Sequence, residues 1–139
     1  MADAMPLLVV IALVAVASWL YRRTTGVAHA IDVTFGPQQL RQLGLPAHRS
    51  SLLLFTAPGC APCTVARQVL DEASDRLGVP VVVADVTDQH AIAAEQHVYR
   101  APTVFVVDER GHAIARISGV PRHGELDDVL RGSTAGVAA

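Results

Sequence analysis

Cys60 and Cys63 are the two cysteines of this 139-residue chain. Spaced two residues apart, they suit a redox pair or one half of a metal site. A zinc site normally takes four ligands, and the sequence has no second C-x-x-C or H-x₃₋₅-H cluster to complete one. Two cysteines are also too few for the multi-bridge framework of a small secreted scaffold. Their surroundings favour redox chemistry. Residues 51–56, Ser-Leu-Leu-Leu-Phe-Thr, form a continuous apolar run of strand length, as expected for a central strand buried on both faces. After Ala57-Pro58-Gly59, residues 60–77 carry Val65, Ala66, Val69, Leu70, Ala73 and Leu77 at helical spacing, with Arg67, Asp71, Glu72, Asp75 and Arg76 opposite. Cys60 therefore opens a helix, where unpaired amide groups and the helix dipole favour negative charge, and it is the expected attacking thiolate. Cys63, one turn inside, is placed to attack a mixed disulfide at Cys60 and release the reduced partner. Pro62 stiffens the first turn, where no hydrogen bond is lost. This chemistry needs no cofactor and no metal.

The rest of the chain must position that turn. Residues 31–35 alternate as a short strand, and residues 38–45, after Pro37, read as a helix with Leu40 and Leu43 inward. Residues 79–86 read as a second buried strand, 89–97 as a short helix and 103–107 as a third apolar strand. A turn at 108–111 leads to a more polar strand at 112–118. A last helix at 125–131 packs through Leu126, Val129 and Leu130, and residues 132–139 form a tail that should fray. Strands alternating with helices, then a hairpin and a final helix, predict an α/β fold with a mixed central sheet flanked by helices.

In this order of elements, over residues 31–136, the chain resembles the thioredoxin family. Three places carry the resemblance: Cys60-Ala61-Pro62-Cys63, Arg100-Ala101-Pro102-Thr103 before the third apolar strand, and Ser118-Gly119-Val120. The resemblance implies a cis bond at Pro102, pairing of the Ala101 backbone with an extended substrate segment, and a groove completed by Gly119. Gly59, Ala61, Pro62, Ala101, Pro102 and Gly119 are then the expected substrate-binding residues, around catalytic Cys60 and Cys63. Three departures stand out. Gly59 replaces the tryptophan that usually precedes the first cysteine. Leu54 occupies the place of a buried aspartate that helps deprotonate the second cysteine, and Val83 that of its lysine partner. The implied activity is reduction of protein disulfides, fed by an upstream dithiol protein or flavoprotein. The alternatives are an extracytoplasmic oxidase or isomerase, and a binding or Cu(I)-handling module.

Residues 4–21 hold 16 apolar residues among 18 and no charge. A helix of that length spans about 27 Å, close to the hydrocarbon core of a bilayer. Trp19, Tyr21, Arg22 and Arg23 close it as interfacial anchors. A secretory signal carries its positive charge ahead of the apolar run, whereas here the arginines follow it, so a retained single-pass anchor is expected rather than a cleaved leader. The division is then an anchor at 1–23, a tether at 24–30 and a thioredoxin-like domain at 31–139, and the arginines place that domain on the cytoplasmic side. All eleven basic residues are arginine. With nine of them against twelve acids from residue 31 onward, no basic field exists to hold nucleic acid. Asp85 reads as a loop cap, and the six histidines as surface residues, with His97 and His123 the two that can approach the groove.

Overall fold

A computed structural model describes residues 4–137. The elements are α1 (Ala4–Thr24), β1 (Ala28–Thr34), α2 (Pro37–Leu43), β2 (Ser51–Thr56), α3 (Ala61–Leu77), β3 (Val81–Asp85), α4 (His90–Glu95), β4 (Thr103–Val107), β5 (His112–Ser118) and α5 (Glu125–Val137). The strands form one five-stranded mixed sheet in the order β1-β5-β4-β2-β3, in which only β2 and β3 run parallel. This is the α/β architecture that the resemblance implies.

Side-chain alternation along the central strands divides the core into two layers. Leu53, Phe55, Phe105 and Val107 face one side, where Leu43, at the end of α2, and Ile92 and Ala93 from α4 cover them. Leu52, Leu54, Val104 and Val106 face the other, beneath Ala66, Leu70 and Ala73 of α3 and Leu126 and Leu130 of α5. Strand β2 is central and fully buried from Ser51 to Phe55, as its unbroken apolar run predicts.

Several boundaries differ from the sequence reading. The second apolar run is an edge strand: β3 pairs with β2 alone, only Ala84 is buried, and Val83 is 41% exposed. An all-valine run looks the same at an edge as in the middle of a sheet. Helix α2 stops at Leu43 because Gly44 adopts a left-handed conformation (φ 73°), and its amide bonds back to the carbonyls of Arg41 and Leu40. Helix α4 is shorter than its pattern suggested and ends at Glu95. Helix α5 continues through Val137, where a fraying tail was expected, and residues 138 and 139 lie outside the described residues.

Strand β1 begins at Ala28, three residues before the alternation becomes visible. Ala28 and Ala30 already pair with Ile117 and Ala115, and small residues leave no hydropathy signal. Of residues 24–30, Thr24 thus ends α1, residues 25–27 connect, and 28–30 belong to the sheet. The connector is fastened: the Gly26 amide donates to the Ser118 carbonyl at 2.9 Å and the Ala28 amide to Glu125 Oε1 at 2.7 Å. Helix α1, about 32 Å long by its 21 residues, is apolar and long enough over Met5–Thr24 to cross a membrane, and none of that stretch is buried against the rest of the chain.

Candidate active site

The chain leaves β2 at Thr56 and turns at once. Proline at the second position of Ala57-Pro58-Gly59-Cys60, positive φ (69°) at the third and a Cys60 amide to Ala57 carbonyl bond of 3.3 Å make this a type II turn. Gly59 is therefore required by the backbone; a Cβ there would meet open space but would sit on a φ that side chains resist. Cys60 lies in the N-cap position of α3 with extended backbone (φ −83°, ψ 98°), and Pro62 stands in the first turn. The two sulfurs are bonded, with the Cα atoms 5.4 Å apart. Cys60 is half-buried, whereas Cys63 is 6% exposed and begins the buried stripe Cys63, Ala66, Leu70, Ala73. Exposure thus differs across the pair, with Cys60 the more exposed residue and Cys63 the buried one.

Register shows what surrounds this turn. Phe55 pairs with Thr103, Thr56 with Asp85, and Thr103 with Ser118. The ends of β2, β3 and β5 and the start of β4 therefore share one edge of the sheet, and with them the Cys60 turn, Ala101-Pro102 and Gly119. The Ala101–Pro102 bond is cis. Thr103 Oγ1 donates to the Arg100 carbonyl at 2.6 Å and the Gly119 amide to the Pro102 carbonyl at 2.8 Å, so both neighbouring elements hold this loop. Pro102 is buried and Ala101 half-buried.

Gly119, the glycine that the resemblance puts in the turn completing the groove, is packed against the chain's own N-terminal connector. It is buried, at φ 91°, and a Cβ there would collide with Thr25 Cγ2. The connector after α1 lies over it. Gly26 sits as tightly, since a Cβ on it would strike the Val120 carbonyl.

Leu54 is wholly buried between its register partners Val83 and Val104. The layer that α3 covers thus offers a hydrocarbon side chain at the place where the resemblance puts a buried aspartate in the family. Asp85 acts as a loop cap: Oδ1 accepts from Thr87 Oγ1 at 2.6 Å and from the Thr87 amide at 2.8 Å, and these bonds hold its carboxyl below the usual range. His97 turns to Tyr99, with Nδ1 2.8 Å from the hydroxyl, while its carbonyl accepts from Arg116; His123 is exposed in the loop before α5.

Two features escaped the sequence reading. Val65, assigned to the inner face by its helical spacing, is 49% exposed. The exposed residues flanking the cysteines in sequence, Pro58, Ala61, Pro62 and Thr64, are uncharged, as is Val65. Tyr99, beside the cis loop, is 83% exposed. It lies between Val98 and Arg100 in a segment with neither helical nor strand periodicity to read.

A family model described as a thioredoxin domain matches residues 53–131, just over half the chain. No curated protein matches. Among solved structures, a mutant thioredoxin from Halobacterium salinarum superposes with a TM-score of 0.58 at 20% identity, covering 71% of this chain and 86% of that one. Fasciola hepatica thioredoxin does so at 0.54 and 20%, covering 66% and 88%, and thioredoxin 1 of Thermosipho africanus at 0.54 and 17%, covering 64% and 99%.

Proposed function

The chain belongs to the thioredoxin family, and from that premise we propose that it is a membrane-tethered thiol-disulfide oxidoreductase that reduces protein disulfides. The observation that carries this reading is the Cys60–Cys63 bridge across the start of α3, with Cys60 the more accessible sulfur. In the reduced protein, the Cys60 thiolate attacks one sulfur of a client disulfide. The client S–S bond breaks, a mixed disulfide forms, and the first client sulfur leaves as a thiolate that takes up a proton. Cys63 then loses its proton and attacks Cys60 Sγ. The second client sulfur leaves, and the Cys60–Cys63 bond closes. Two electrons have passed to the client, and an upstream dithiol protein or flavoprotein returns them.

Ala101 and Pro102 supply the backbone edge along which an extended client segment pairs. Gly59, Ala61 and Pro62 form the apolar floor, and Gly119 acts from beneath the connector. Burial of Leu54 between two valines supports slow resolution at Cys63, with water or a client group taking the proton. Helix α1 is the anchor, and Arg22 and Arg23 at its end support a domain on the cytoplasmic side. An alkaline phosphatase fusion after Ala139 is expected to be inactive in a bacterial host. An active fusion places the domain outside and favours the oxidase or isomerase reading.

A further inference from the structure

Resting on the membrane-tethered reading, we propose that the client disulfide lies in the segment of a membrane protein immediately adjoining the bilayer, because the fold fastens the active edge of the sheet to the end of the membrane helix. Strand β1 runs antiparallel to β5, so its first residue lies at the same edge as Gly119, the cis loop and the Cys60 turn. From β1 to β2 is three strand spacings, about 14 Å along that edge.

The joint is held by contacts. Arg100, the residue before Ala101, donates to the Tyr21 hydroxyl at 3.1 Å and lies 5.8 Å from the Tyr21 ring. Arg122, three residues after Gly119, donates to the Arg22 carbonyl. Thr25 lies on Gly119, and Gly26 is bonded to Ser118. Tyr21 and Trp19, the latter with the Arg23 guanidinium 3.7 Å from its ring centre, are the aromatic and basic belt of a membrane boundary. Contact with Tyr21 therefore brings the cis loop to headgroup level. Tyr99, more exposed than any other large apolar side chain described, then becomes another interfacial aromatic. A domain fixed in this way meets disulfides close to the bilayer surface and is held back from those displayed far above it.

The test reconstitutes the reduced full chain in lipid vesicles with transmembrane peptides whose disulfide loop stands about three or about thirty residues beyond the membrane. A soluble disulfide peptide serves as control. The near loop is expected to be reduced about tenfold faster than the far one, the order of change that linker length produces in effective concentration. A Gly-Ser insertion of about twelve residues between Thr24 and Thr25, spanning about 19 Å, should bring the two rates within about twofold and leave the soluble peptide's rate unchanged. Equal rates for the near and far loops in the unmodified chain, or a preference that survives the insertion, overturn the inference while leaving the oxidoreductase reading intact. Failure to reduce even the soluble peptide overturns that reading and the inference with it.

Discussion

Cys60→Ser is expected to reduce disulfide turnover to below about one-thousandth of the unmodified rate, because a serine hydroxyl at neutral pH offers no counterpart to the thiolate at the start of α3. Cys63→Ser should behave differently. Its Cys60 still attacks, but nothing follows to close the intramolecular bridge, so the chain stops as a mixed disulfide with its client. Non-reducing electrophoresis and mass spectrometry of cells expressing each variant distinguish the two: Cys63→Ser yields an adduct that dithiothreitol releases, and Cys60→Ser yields none. The accessibility difference underlies this assignment, since Cys63 is 6% exposed at the head of a buried stripe whereas Cys60 occupies the N-cap. An adduct formed through Cys63 in the Cys60→Ser variant would reverse the two roles.

Phe105→Ala carries the second large effect, on stability. The chain has three phenylalanines, and all meet on one layer. Phe105 stands edge-on to both Phe35 and Phe55, with centroids 5.8 Å away in each case, and the Arg116 guanidinium lies 5.4 Å from its ring. It is 1% exposed, on a strand paired on both sides, so truncation leaves a cavity that little can refill. The expected cost is about 3–5 kcal/mol, a large share of the roughly 5–15 kcal/mol that holds a domain folded. In urea titrations the midpoint should fall steeply. Val65→Ala, at a half-exposed position on α3, should leave it nearly in place. Similar midpoints for the two variants would mean that the aromatic layer does not stabilise the fold as its packing indicates.

The contrast between Phe105 and Val65 also shows how far the sequence could be read. Strand β2 was legible from its unbroken apolar run and the buried stripe of α3 from its helical periodicity, and the helix start at Cys60 because Pro-Gly and the change of pattern mark it. Val65 was assigned inward on the same periodicity and lies outward, since it sits about 100° around the helix from Ala66, off the stripe of Cys63, Ala66, Leu70 and Ala73. Strand β3 read as buried because edge position is a property of its neighbours. The cis bond at Pro102 was legible only through the family resemblance; nothing local to Arg100-Ala101-Pro102-Thr103 requires it. Least visible was the joint between α1 and the domain. Thr25 against Gly119 and Arg122 against the Arg22 carbonyl join residues nearly a hundred positions apart, and neither pair belongs to a periodic pattern.

Gly59, where the family usually has a tryptophan, is the residue a type II turn takes, and the neighbouring Pro58, Ala61 and Pro62 are exposed. Leu54 removes the buried acid.

The most direct test of the central claim is the equilibrium reduction potential of the Cys60–Cys63 pair in the full chain, held in detergent micelles and titrated against defined thiol-disulfide buffers. A protein that reduces disulfides should give a value near about −270 mV, and one near about −120 to −180 mV would mark an oxidant or isomerase and contradict the account.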